Sequence, residues 1–227
     1  MKKTFSLFIS LTLLMVATGC SQSQKTDRTA QNEAQKTITP VEVKSEDGLA
    51  RAYFASGCFW CVEAIYESVK GVKESISGYS GGHTENPTYE DSNTGKTGHA
   101  EAVEIIYDPE VVSFATLVDV YFGSQNVTQA NGQGPDNGSQ YRSIIFYQND
   151  DQKKIIDEKI AALNKEMGDE EVAAEVLPFQ KFWIGEDYHQ DYEKKHPENP
   201  YVRGVSIPRL KKFQEKFPHL LKDGAKH

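Results

Sequence analysis

The chain has 227 residues, of which 38% are hydrophobic and 26% charged, and it carries a formal net charge of −8 at neutral pH. That acidic balance argues against a nucleic-acid partner, whose phosphates would repel it. Once the N-terminal region is set aside, about 180 residues remain, enough for one domain with a buried core, and no internal repeat divides them.

Lys2 and Lys3 precede an uncharged, mostly apolar run from Phe5 to Ala17. The run is too short to span a bilayer as a mature helix, so residues 1–19 are expected to be a signal peptide. Ala17-Thr18-Gly19-Cys20 resembles a bacterial lipoprotein processing site. Cys20 would then be the acylated first residue of the mature chain and would hold it on a membrane of the cell envelope. The same residues also suit ordinary signal peptidase cleavage, and either route exports the protein. Residues 20–48 are rich in Gln, Lys, Thr, Ser, Asp and Glu and contain no aromatic residue. Such a segment cannot bury enough apolar surface to offset its ordering entropy, so it reads as a flexible, lipid-anchored tether, with the folded domain over residues 49–227.

Within that domain, Ala50 to Ala55 predicts a short apolar strand. It feeds directly into Gly57-Cys58-Phe59-Trp60-Cys61, where two thiols stand one helical turn apart. Val62, Ile65, Tyr66 and Val69 follow helical spacing, and Gly71 lies beyond the helix end. Val72 to Tyr79 predicts a second strand. A Gly-rich loop from Ser80 to Gly98 leads to a stronger strand at His99 to Tyr107, ended by Asp108-Pro109. Phe114, Leu117, Val118, Tyr121 and Phe122 form one face of a helix that Ser113 can cap. A polar loop from Ser124 to Gln140 precedes a strand at Tyr141 to Tyr147. Next comes a helix from Asp150 to Met167 with Ile156, Ile160, Leu163 and Met167 on its buried stripe, then a strand at Val172 to Leu177. A short helix is expected between Trp183 and Lys195, and the tail after Pro197 reads as irregular. The alternation of strands and helices predicts an α+β two-layer sandwich.

The chemistry is expected at Cys58 and Cys61. Cys58 lies where a strand turns into a helix, so the helix dipole should favour its thiolate. A Cys-x-x-Cys at such a junction is more often a redox pair than a static disulfide, because a two-residue gap constrains the unfolded chain little. Zinc binding is weaker still, since no second Cys or His pair at ligand spacing follows. Phe59 and Trp60 are either core residues or the wall of an apolar pocket for a small uncharged group. On the strand from His99, Glu101 shares a face with Val103, Ile105 and Tyr107. It is either a desolvated carboxyl that stays protonated near neutral pH, and so a candidate general acid, or a strand-end residue open to solvent. Asp136, Gln140, Tyr141 and Arg142 cluster beside the next strand, where a buried hydrogen-bond network could form.

Six ordered motifs make the chain resemble the peptide methionine sulfoxide reductase A family. They are Gly57-Cys58-Phe59-Trp60, Gly78-Tyr79-Ser80-Gly81-Gly82, Asn86-Pro87-Thr88-Tyr89-Glu90, Thr97-Gly98-His99-Ala100-Glu101, Gln140-Tyr141-Arg142-Ser143 and Asp187-Tyr188-His189-Gln190-Asp191-Tyr192. They extend over residues 50 to 205, whereas a lone Cys-x-x-Cys would be weak. The resemblance implies a ferredoxin-like α/β sandwich with long loops. It also implies reduction of the S epimer of methionine sulfoxide, free or within proteins, with no metal and no bound organic cofactor. Cys58 would attack the sulfoxide sulfur, with Phe59 and Trp60 holding the substrate methyl. Glu101 would protonate the oxygen, Tyr89 and Tyr141 would hydrogen-bond to it, and Asp136 would support the polar side of the pocket. Cys58 would be left as a sulfenic acid, Cys61 would form a disulfide with it, and an external dithiol of thioredoxin-like type would reset the pair. A monomer is expected.

Two departures from the family pattern bear on this. The C-terminal region holds no further cysteine, so resolution falls to Cys61 or directly to an outside reductant. The loop Gln125-Asn126-Val127-Thr128 and Asn131-Gly132-Gln133-Gly134 differs from the commoner family pattern, yet no proposed catalytic residue is replaced. Two other classes remain open at this point. A thioredoxin-like disulfide oxidoreductase would use the same thiols but give Glu101 no role, and a non-enzymatic envelope lipoprotein would hold a structural disulfide.

Overall fold

The computed structural model describes residues 38–225 of the chain. The signal peptide expected over 1–19, Cys20, and the tether as far as residue 37 lie outside the described residues. The compact unit begins at Thr39, ten residues before the boundary expected at residue 49. The Thr39 carbonyl accepts from Gln180 Nε2 at 2.9 Å, Val41 N–H donates to the Phe179 carbonyl at 2.8 Å, and Val43 N–H donates to Gln148 Oε1 at 2.8 Å. Composition read these residues as tether, but the domain offers them backbone and amide partners that satisfy their polar groups.

Strands β1 (Ala50–Ala55), β2 (Val72–Ser80) and β3 (Ala100–Tyr107) form the centre of a six-stranded sheet. With β6 (Ile144–Tyr147), β7 (Glu175–Pro178) and β8 (Phe182–Ile184), the strand order is β7-β6-β1-β3-β2-β8. Only the β6/β7 pair is parallel; the other four pairs are antiparallel. The two-residue strands β4 (Gly132–Gln133) and β5 (Asp136–Asn137) pair apart from this sheet, inside the loop expected over 124–140.

Alternation along each strand sorts the core into two clusters. Phe54, Val103, Ile105 and Tyr107 pack with α1 (Phe59–Glu67), α3 (Phe114–Gly123) and the C-terminal helix. Tyr53, Ala55, Ala100 and Ala102 turn the other way, against Phe146, Leu177 and Phe179. Helix α3 is capped as expected, with Thr116 N–H donating to Ser113 Oγ at 3.1 Å. Helix α4 (Asp150–Met167) is capped by Asn149, whose Oδ1 accepts from Gln152 N–H at 3.0 Å.

Three local expectations are corrected. The Gly-rich loop over 80–98 contains a short helix, α2 (Tyr89–Asn93), because Thr88 accepts from Asp91 N–H and caps its first turn. Trp183 stands in β8, paired with Tyr79 of β2, and the short helix expected between Trp183 and Lys195 is confined to α5 (Tyr192–Lys195). The tail after Pro197 is helical, with a π turn over Val202–Ser206 running into α6 (Ile207–Lys216). Pro208 does not break α6, since it falls in the first turn, where the π turn runs into the α-helix. Leu210 and Phe213 then fall one turn apart and are buried against the main core. Phe213→Ala should therefore cost about 3 to 5 kcal/mol of unfolding free energy. Denaturant midpoints at unchanged slope measure it, and a loss under about 1 kcal/mol would separate α6 from the core.

Candidate active site

The turn from β1 into α1 is held at every residue. Tyr121 Oη donates to the Ala55 carbonyl at 3.1 Å. Arg209, on α6, donates to the Ser56 carbonyl at 3.0 Å and to Ser56 Oγ at 2.8 Å, while its Nε donates to the Ser124 carbonyl at 2.9 Å. Gly57 has φ +78°, and a Cβ there would meet Gln133 Cβ at 2.6 Å, so both the backbone and the space require glycine. The chain then enters α1 with Cys58 at its N-cap, and the first free helical donor, Phe59 N–H, points to Glu101 Oε2 at 3.0 Å.

Glu101 is 2% exposed, which removes the solvent-open alternative. Burial is the main reason its carboxyl is pushed up to about 8; the Phe59 hydrogen bond opposes this, and the charges of Asp136 and Cys61 add to it. A carboxyl in that range is mostly protonated near neutral pH.

Cys58 and Cys61 are both buried free thiols, and they hydrogen-bond to each other. Burial pushes Cys58 well above the ordinary thiol range, and the hydrogen bond and charge of Cys61 push it further. Cys61 moves the other way, down to about 6. The hydrogen bond from Cys58 is the largest cause, and Arg209 and the hydroxyls of Ser206 and Tyr201 outweigh its burial with that bond. The pair therefore shares one proton, and in the empty site the negative charge rests on Cys61. This corrects the expectation that the helix terminus would favour the Cys58 thiolate. The Cys58 side chain makes no capping hydrogen bond to the start of α1, and it has little water to replace one.

Aromatic rings wall the space above Cys58. Trp60 stacks on Tyr192 with centroids 3.7 Å apart, and its Nε1–H donates to His189 Nδ1 at 3.1 Å. Phe59 lies 4.7 Å from the His189 ring and 6.3 Å from Tyr89. Trp60 donates to Nδ1, so the His189 hydrogen sits on Nε2, and burial depresses its pKa and keeps the ring neutral. Tyr89 begins α2, where its N–H donates to Glu186 Oε1 at 2.9 Å; Glu186 Oε2 accepts from Tyr79 Oη at 2.8 Å. Tyr89 and Tyr141 share a hydrogen bond. Burial first, then the charges of Glu101, Tyr89, Cys58 and Asp136, push the Tyr141 hydroxyl up, so both phenols remain donors at physiological pH. Asp136 accepts from Tyr201 Oη at 2.6 Å.

The family model for peptide methionine sulfoxide reductases matches residues 50–221. This chain belongs to that family. It is 47% identical over 172 residues to a peptide methionine sulfoxide reductase MsrA of Pasteurella multocida, covering 76% of this chain and 98% of that one. A Saccharolobus solfataricus MsrA is also 47% identical, over 75% of this chain and 96% of its own length. Among solved structures, the methionine sulfoxide reductase A of Corynebacterium diphtheriae superposes with TM-score 0.60 at 30% identity, over 71% of this chain and 83% of that one. Reduced Mxr1 from Saccharomyces cerevisiae gives TM-score 0.63 at 27% identity, over 71% and 93%.

In this family member, Cys58, Phe59, Trp60, Cys61, Tyr89, Glu101, Asp136 and Tyr141 all converge on one site. Sequence reading missed His189, Tyr192, Tyr201 and Arg209. Aromatic crowding between Trp183 and Lys195 was a usable signal for the first two, while Tyr201 and Arg209 arrive only through the path of the C-terminal segment. Glu63, on the inner side of α1, was also missed. Its carboxylate accepts from Asp191 N–H at 3.1 Å and Ser77 Oγ at 3.2 Å. Together with Gln190, which exchanges two bonds of 2.9 Å with the Ser77 backbone, it ties the His189 and Tyr192 segment to β2.

Burial pushes Glu63 up to about 8 despite those bonds. The folded state thus holds this proton more tightly than the unfolded chain. Its contribution is full below the ordinary carboxyl range, near 4.3, and is lost as pH rises through about 8. Glu63→Gln keeps an acceptor for Asp191 and removes the proton. Its melting temperature should fall less than that of the wild type between about pH 5 and about pH 9, and parallel profiles would refute the assignment.

Proposed function

We propose that the chain reduces methionine S-sulfoxide, free or in proteins, to methionine through a sulfenic acid at Cys58. The observation that carries this reading is the buried Glu101 carboxyl held by Phe59 N–H between the Cys58 thiol and the phenols of Tyr89 and Tyr141. Phe59 and Trp60 form the methyl pocket, with Trp60 locked by Tyr192 and His189. A hydrophobic wall there excludes water while the sulfoxide oxygen faces the acid and the two phenols.

The chemistry follows from the shared proton. As substrate arrives, Cys58 passes its proton to the Cys61 thiolate and attacks the sulfoxide sulfur. Glu101 gives its proton to the oxygen, the oxygen moves to Cys58, and methionine leaves. Cys58 is oxidised to the sulfenic acid and the substrate sulfur is reduced, so two electrons have moved from thiol to sulfoxide. Cys61 then attacks the Cys58 sulfur, water is lost, and a disulfide remains for an external thioredoxin-like dithiol to reduce. These residues need no bound cofactor for either step.

The reading extends to the whole chain. Residues 1–19 act as an export signal, Cys20 carries the lipid, and the domain works as a monomer on the bacterial envelope. The order β6-β1-β3-β2, with helices after β1 and β3, supports a ferredoxin-like βαββαβ core.

Glu101→Gln should slow single-turnover methionine formation by about 10²-fold or more, with little change in substrate affinity. Because Glu101 acts while protonated, the wild-type rate should fall as pH rises through about 8, and the variant should lack that limb. An unchanged single-turnover rate would remove Glu101 as the acid. Cys61→Ser, which also removes the thiolate that takes the Cys58 proton, should release one methionine per chain more slowly and then fail to recycle with thioredoxin; sustained turnover with that donor would sink the resolving role.

A further inference from the structure

Cys61 is 1% exposed, so bulk water takes its proton only slowly. That matters because Cys61 carries a proton at the moment it must become a nucleophile, after Cys58 has passed one to it. Tyr201 Oη lies 3.7 Å from Cys61 Sγ. The single hydrogen of Tyr201 is donated to Asp136 Oδ2 at 2.6 Å, so once Cys61 has taken up the Cys58 proton its thiol can be the donor in this contact. Asp136 in turn stands in β5, half-buried at the surface loop, where water can reach it.

We propose that Tyr201 and Asp136 form a proton relay that deprotonates Cys61 for its attack on the Cys58 sulfenic acid. This rests on Cys61 being the resolving thiol. The Cys61 proton moves to Tyr201 Oη while the Tyr201 hydrogen moves to Asp136, which releases it to water. The hydroxyl left behind points to the new thiolate and stabilises it. Glu101, left ionised by the sulfoxide step, first regains a proton from solvent. Cys61 Sγ then forms the S–S bond, the S–O bond of the sulfenic acid breaks, and the departing oxygen takes that proton from Glu101 and leaves as water. Cys61 is oxidised and the sulfenic sulfur is reduced. One proton is released through Asp136 and one is returned to Glu101 from solvent.

The other groups facing Cys61 are poorer acceptors. Arg209 is permanently charged and has no lone pair to offer. Ser206 is in hydrogen-bond reach, but its hydroxyl donates to the buried Glu193, whereas Asp136 stands half-buried at a surface loop. Cys58 is the electrophile in this step.

Tyr201→Phe keeps the ring that packs edge-on against Trp60, with centroids 6.1 Å apart, and removes only the hydroxyl. The enzyme is given one equivalent of methionine sulfoxide without reductant, and methionine release, dimedone-trappable sulfenic acid and thiol loss are followed in the same sample. In the wild type, disulfide should follow methionine with no trappable intermediate. In Tyr201→Phe the sulfenic acid should accumulate, with disulfide formation slowed about tenfold or more near pH 6.5. The variant's rate should then climb about tenfold per pH unit as hydroxide replaces the relay. A variant that resolves at the wild-type rate, or is slowed equally at every pH, overturns the relay. If the variant released no methionine, one equivalent of hydrogen peroxide would make the same sulfenic acid, and the same pH comparison would decide. Wild type that releases methionine but forms no Cys58–Cys61 disulfide overturns the resolver reading itself, a result separate from a failure of the relay alone.

Discussion

The hydrogen bond from Phe59 N–H to the Glu101 carboxyl is the constraint from which the site is built. It joins the first turn of α1 to the third strand across 42 residues of sequence, inside the core. With Glu101 protonated, this hydrogen bond is worth about 0.5 to 1.5 kcal/mol net, and leaving either group unpaired there would cost about 1 to 3 kcal/mol. The bond therefore fixes the acid beside the nucleophile. The Cys58 side chain takes no capping hydrogen bond from the helix, and the thiol pair settles its charge by sharing a proton.

The rest of the architecture keeps that junction in place. Tyr121 holds the end of β1, Arg209 holds Ser56, and Gly57 makes the turn that no residue with a side chain could make against Gln133. On the far side, Glu63 and Gln190 draw in the segment that presents His189 and Tyr192 to Trp60. Two buried carboxyls thus do different work with similar shifts. Glu101 faces the space where the substrate oxygen would sit, while Glu63 is hydrogen-bonded to the Asp191 backbone and Ser77 and lies near the charges of Glu67 and Asp191.

Much of the domain was legible in the sequence because its signals are local. Period-two alternation marked β3 and put Glu101 on the buried face, helical spacing marked α1, α3 and α4, and Ser113 announced its helix. The errors have physical causes of the same kind. Thr88 as a cap was passed over inside a Gly-rich stretch, and Pro208 masked an amphipathic helix whose first turn it suits. Residues 39–48 hold few apolar side chains, Val41 and Val43 among them, yet the domain captures the segment largely through hydrogen bonds, which composition does not report.

The sequence by itself determined the two-thiol motif, the aromatic pair between the thiols, the acid on its strand and the family to which these belong, since each is written in residue identity and short spacing. Only the tertiary structure decided how the two thiols differ. The charge on Cys61 depends on Tyr201, Ser206 and Arg209, which lie at least 140 residues away along the chain and reach it through the fold of the C-terminal segment. Electrostatics inside a buried site is set by which groups stand within a few ångströms and by how little water remains, and neither quantity is local in sequence.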